Sequence, residues 1–128
     1  MSKKIVVPID GSEDSYKIIP YAIQVAALSN DHILFLNIQQ SLKELGYEAI
    51  RKAAQYMQET SVPYEAKIRV GIPAMEIIAE SSNPDVRCIV MAKGRGKEEA
   101  IGSVSEHVLK LSTCPIVFVP RRAIDGSL

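Results

Sequence analysis

The chain has 128 residues, enough for one domain whose core needs neither disulfides nor a structural metal. Hydrophobic residues make up 47% and charged residues 23%, the balance of an ordinary water-facing domain, and no apolar run approaches a membrane span. Fifteen Lys and Arg offset fifteen Asp and Glu, so no global field draws the chain to nucleic acid or an anionic membrane, and any anion site must be local.

Lys4-Ile-Val-Val-Pro-Ile9 reads as a buried strand running into Asp10-Gly11-Ser12, with Pro8 near the strand end where its missing N–H matters least. Ser12 is placed to cap a helix of about sixteen residues whose inner face is Ile18, Ile19, Ala22, Ile23 and Ala26, closed by Asn30-Asp31. His32-Ile-Leu-Phe-Leu-Asn-Ile38 is a second apolar strand. Ser41-Leu-Lys-Glu44 matches a capping box, and Leu42, Leu45, Ala49, Ile50, Ala53 and Met57 recur at helical spacing after it. Past Pro63, Tyr64-Glu-Ala-Lys-Ile-Arg-Val70 alternates better than the other strands, which predicts an edge position. Gly71-Ile-Pro73 then opens a short helix with Ala74, Ile77 and Ile78 inward, ended by Asn83-Pro84-Asp85.

Cys88-Ile-Val-Met-Ala92 is uniformly apolar, the signature of a strand covered on both faces. The chain then changes character, through Lys93-Gly94-Arg95-Gly96-Lys97 to a helix opening at Gly102, Ser103 and Val104, with Val104, Val108 and Leu111 as its apolar stripe. Cys114-Pro-Ile-Val-Phe-Val119 is the last strand, and Arg121 to Leu128 carry no pattern, which predicts a mobile tail or a minor extension. Strand and helix alternate through five strands and four helices without a repeat, so the fold class is α/β, a single domain with an open parallel sheet and helices on both faces.

Ligands of such sheets bind at the carboxyl ends of strands where the winding reverses. The glycine- and cation-rich loop between Lys93 and Lys97, leading to a helix N-terminus with Ser103 and Ser105, fits a phosphate cradle and equally fits a solvated turn with surface lysines. Asp10 is likewise suited either to ribose hydroxyls or an adenine amine, or to opening the first helix turn. Catalytic constellations and metal-ligand spacings are missing, and His32 and His107 lack a matched nucleophile. Cys88 and Cys114 have no partner at a redox or zinc spacing and read as reduced thiols; with no signal-length apolar region after Met1, the expected location is the cytoplasm.

Taken together, Lys4-Ile-Val-Val-Pro-Ile-Asp-Gly-Ser12, Gly71-Ile-Pro-Ala74, Gly102-Ser-Val-Ser-Glu-His-Val108 and Cys114-Pro-Ile-Val-Phe-Val119 resemble the universal stress protein family, over residues 1–120 with 121–128 as a tail. That resemblance implies sheet order 3-2-1-4-5, homodimerisation through the last strand, a regulatory or protective role without turnover, and, in one branch, an ATP or AMP site. Asp10 matches the family's acidic residue near the adenosine, Ile38 falls where a backbone contact to adenine is made, and Gly102 and Ser103 match the final Gly-Ser of the phosphate loop. Ala92 stands where that loop's first glycine belongs and Arg95 where its second belongs, with three residues fewer before Gly102. Gly94 and Gly96 are substitutes, and Lys93, Arg95 and Lys97 are candidate phosphate partners beside the opposing Glu98 and Glu99. A methyl at Ala92 disfavours close backbone approach by about 1 kcal/mol, so the resemblance implies a weakened or lost nucleotide site.

Two alternatives stand beside it. Asp10-Gly11-Ser12-Glu13-Asp14-Ser15 resembles the loop of ATP-pyrophosphatase-type enzymes at four of six positions, although Asp10 and Glu13 place negative charge where the pyrophosphate sits. The other is a dimeric interaction module that binds no ligand.

Overall fold

Three segments of almost unbroken aliphatic character, β1 (Lys4–Pro8), β2 (His32–Gln39) and β4 (Val86–Ala92), occupy the centre of the sheet in the computed structural model, which describes residues 2–41, 46–94 and 101–125. The side chains in the middle of these strands are buried whether they point up or down, because helices cover both faces. Every strand pairing is parallel and the order is β3-β2-β1-β4-β5, with β3 spanning Tyr64–Val70 and β5 spanning Ile116–Val119. Val6 sits opposite Leu34 on one side and Ile89 on the other, so the pleat aligns three apolar residues on each face.

The two faces make two cores. On one, Ile5, Val7, Ile33, Phe35, Cys88 and Val90 meet helices α1 (Glu13–Lys17), α2 (Ile19–Ser29) and α3 (Gly46–Gln55). On the other, Val6, Leu34, Leu36, Ile89 and Met91 meet α4 (Pro73–Ser81) through Ala74 and Ile77, and α5 (Ser103–Leu111) through Val108.

The first helix is two. Ser12 caps it as its position predicts, its hydroxyl accepting from the Ser15 N–H at 3.2 Å, but the helix is interrupted at Ile18. Pro20 explains the break: it has no N–H for the carbonyl four residues back, and its ring crowds that carbonyl. Asn30 ends α2 in the left-handed conformation, φ 58°. In α3, Ala49 and Ala53 are buried, as is Met57 just beyond; Leu42 and Leu45, with the rest of the predicted capping box after Ser41, lie outside the described residues. The start of α3 presses on β2, since a Cβ on Gly46 would meet the Gln39 amide nitrogen at 2.1 Å.

Strand β3 is an edge, and α4 is tied to it by charge. Glu80 is buried beneath Lys67 Nζ at 3.1 Å and Arg69 Nη1 at 2.8 Å, while Arg69 Nε reaches Glu76 at 2.7 Å. At the amino ends of the strands a second buried carboxylate, Asp31, pairs with Arg87 and accepts the Lys3 N–H at 2.7 Å.

The predicted stripe of α5 is corrected. Val108 is fully buried, but Val104 is 36% exposed and Leu111 52% exposed. The inner line of the helix runs through Ser105 and Val108, and Val104 stands one residue's rotation, about 100°, from Ser105. Residues 121–125 form a sixth short helix, α6 (Arg121–Asp125), whose Ala123 and Ile124 pack on the first core while Tyr21 Oη donates to the Ala123 carbonyl at 3.1 Å. Cys88 and Cys114 belong to opposite cores and are free thiols.

Candidate functional site

The winding of the sheet reverses between β1 and β4, so the loops leaving those two strands diverge to opposite faces and open a crevice between them. A cavity of about 560 Å³ fills that crevice. Asp10 enters from the end of β1 and Ile38 from β2, while Ala92 and Gly94 enter from the end of β4, and Gly102, Ser103 and Val104 from the opening of α5.

 The pleat leaves Ala92 half-buried in extended strand conformation, paired with Val119, and the left-handed turn falls on Gly94 at φ +88°. The strain expected of a methyl at Ala92 is therefore absent from that position. Seven of the nine candidate residues thus share one cavity. Lys93 does not line it; its N–H donates to the Val119 carbonyl and its own carbonyl accepts the Gly102 N–H at 3.1 Å. Arg95 lies outside the described residues.

That last hydrogen bond staples the base of the short loop. A Cβ on Gly94 would stand 3.0 Å from Gly102 Cα, so the end of β4 and the start of α5 meet backbone to backbone. Ser105, almost fully buried, adds a bond from its hydroxyl to the Ala92 carbonyl at 3.0 Å. Gly102 caps α5 without a side-chain hydrogen bond, and the first helical bond within α5 runs from the Glu106 N–H to the Gly102 carbonyl. The N–H groups of Ser103, Val104 and Ser105 come before that bond, at the positive end of the helix dipole.

The opposite wall is acidic. Asp10 is exposed and its Oδ1 accepts the Ser12 N–H at 2.9 Å, so one carboxylate both shapes the turn and faces the cavity. Glu13 and the buried Asp14 line the same wall, and Ser15 beside them donates its hydroxyl to the Ser12 carbonyl at 2.8 Å. From the sequence Ser105 is expected at the helix start of the cradle, whereas Glu13 and Asp14 enter only through the resemblance to the pyrophosphatase loop. The signal was present for the two acids: the first turn of a helix that follows β1 at a switch point faces the crevice. Ile77 and Met91 supply an apolar floor.

An open parallel sheet in this order, with its crevice at the switch point, defines the doubly wound α/β class. Within that class, the profile of the universal stress protein family matches residues 1–120. A universal stress protein of Methanocaldococcus jannaschii is 29% identical, with 93% of this chain and 82% of that protein aligned. A second, YxiE of Bacillus subtilis, is 28% identical over 93% of this chain and 99% of its own length. Among solved structures, the hypothetical protein MJ0577 superposes with a TM-score of 0.79 at 26% identity, covering 94% of this chain and 97% of that one. A universal stress protein in complex with cAMP gives 0.80 at 21% identity over 93% and 97% of the two chains, and one from Archaeoglobus fulgidus in complex with dAMP gives 0.74 at 15% over 92% and 97%; these two likenesses carry the fold. The chain belongs to the universal stress protein family.

Proposed function

We propose that this chain is a regulatory or protective universal stress protein of the cytoplasm that binds an adenine nucleotide weakly at the switch-point crevice and turns nothing over. The observation that carries the reading is the two-walled cavity, with Asp10 on one side and the start of α5 at Gly102 and Ser103 on the other. Ribose hydroxyls and the adenine amine are donors suited to Asp10, and a phosphate is suited to the N–H groups that open α5. Solved relatives in complex with cAMP and with dAMP support an adenine ligand of this kind. The weakness follows from a phosphate loop three residues short and from the carboxylates of Glu13 and Asp14 on the facing wall. Against an ATP-pyrophosphatase stands the engagement of the Ser12 and Ser15 hydroxyls in the local helix cap, beside Asp10 and Glu13.

Calorimetric titration with AMP tests the proposal. The expected dissociation constant is about 0.1 mM, near −5.5 kcal/mol, with binding lost in Asp10→Ala and in Ser103→Ala. Low-micromolar affinity would show that the short loop is no handicap, and no heat up to millimolar ligand would leave a ligand-free interaction module as the better reading.

The exposed apolar residues Leu109, Leu111 and Val117 support a homodimer built on β5, which belongs to the same proposal.

A further inference from the structure

Strand β1 reaches the cavity fastened on one side. Its pairing with β4 stops at Val6 and Ile89, whereas its pairing with β2 runs on to Pro8 and Leu36. Pro8, whose amide side faces β4 because the next N–H, that of Ile9, faces β2, has no N–H with which to continue toward β4. Two bonds carry the fastening past the strand end: the Ile9 N–H donates to the Leu36 carbonyl at 2.9 Å, and Asn37 Nδ2 donates to the Ile9 carbonyl at 2.7 Å. The second holds the peptide that leads directly into Asp10.

Asn37 is buried on the face of β2 that carries Ile33 and Phe35, away from the cavity, and is 5% exposed. Its far side is set by Gly46 at the start of α3, where a Cβ would stand 2.5 Å from Asn37 Oδ1. Oδ1 has no hydrogen-bond partner among the described residues, so the donor toward Ile9 is what asparagine supplies here that an apolar side chain of the same shape would not.

Resting on the nucleotide reading above, we infer that Asn37 is a positioning residue of the crevice: it does not line the cavity, and by pinning the Ile9 carbonyl it fixes where the Asp10 carboxylate stands. A peptide unit is planar, so a carbonyl held in direction fixes the plane that ends at the next Cα. From that Cα the Asp10 side chain faces the cavity with Oδ1 on the Ser12 N–H, and the two bonds clamp the turn from before and after. Without the Nδ2 donor the peptide between Ile9 and Asp10 is free to turn, and a carboxylate displaced by about an ångström no longer meets a ribose hydroxyl or an amine at hydrogen-bond distance.

The full chain is titrated with AMP and with adenosine, followed by backbone amide shifts in two-dimensional NMR, which reads millimolar affinities. Asn37→Leu keeps the shape and removes the donor, and is expected to weaken both ligands by the same factor, about five- to tenfold, because Asp10 faces the nucleoside that they share. In the free protein the Ser12 amide resonance, which reports the Asp10 carboxylate through their hydrogen bond, is expected to move in the same variant. Unchanged affinity, a loss confined to AMP, or an unmoved Ser12 resonance overturns the inference and leaves the nucleotide reading standing. Should Asn37→Leu not fold, Asn37→Ser, which is too short to reach the Ile9 carbonyl, carries the same expectations and the same refutations. An unsubstituted chain that binds neither ligand overturns both the inference and the reading beneath it.

Discussion

Gly94 and Gly11 hold the same backbone angle, φ +88°, in different surroundings. Around Gly11 nothing lies within 4 Å of a built Cβ, whereas at Gly94 the backbone of Gly102 is 3.0 Å away. Alanine at either site incurs the left-handed cost of about 1–2 kcal/mol. Only at Gly94 does a methyl also push the start of α5 away from β4. Gly94→Ala is therefore expected to destabilise the protein by about 1 kcal/mol more than Gly11→Ala in urea unfolding, the range of a strained small-to-large substitution. Equal losses in the two variants would mean that the β4–α5 contact adjusts without cost.

At the scale of elements, two buried carboxylates fasten strands and helices that the apolar cores do not fix by themselves. Burial pushes the Glu80 carboxyl up, but the hydrogen bonds and charges of Lys67 and Arg69 outweigh it and the net shift is downward. Asp31 is likewise raised by burial and brought down to about 2 by hydrogen bonds from Arg87, Ser29 and the Lys3 N–H together with the Arg87 charge. Both groups hold more tightly to their ionised form when folded, so their stabilisation is complete above the ordinary carboxylate range, near pH 4, and is lost as pH falls toward the folded values. Arg87 is 44% exposed, so solvent screens its pairing with Asp31. The urea midpoint is expected to be level above about pH 5 and to decline from about pH 4 to pH 2, with a shallower decline in Asp31→Asn. An unchanged slope in that variant would remove Asp31 from the account.

These fastenings were the least legible part of the sequence. Aliphatic runs and their alternation with helices announced the parallel sheet, because burial on both faces leaves a pattern in neighbouring residues. Asp31 and Arg87, or Lys67 and Glu80, are joined only once the chain is folded, and nothing local marks them. The break at Ile18 was marked by Pro20 and overlooked beneath a regular apolar face. In the site, Asp10 and the opening of α5 were legible as element ends at a switch point and Ile38 only through the family resemblance, while Glu13 and Asp14 entered only through the resemblance to the pyrophosphatase loop.

For the whole molecule, the two borders of the sheet differ in kind. β3 carries Glu65, Lys67 and Arg69 along an exposed border, and charge of this sort discourages another strand from pairing there. β5 is four residues, Ile116–Val119, with Val117 40% exposed and Leu109 and Leu111 of α5 exposed as well. Sedimentation at tens of micromolar, the scale of a modest interface, is expected to show a dimer that Val117→Lys converts to monomer without loss of helicity. Monomer alone in the unsubstituted chain would count against it. In the proposed dimer, a chain whose β5 border pairs and whose β3 border repels has a valence of one: once two copies meet, each has consumed the other's means of growth, and the pair has no end from which a fibre could lengthen.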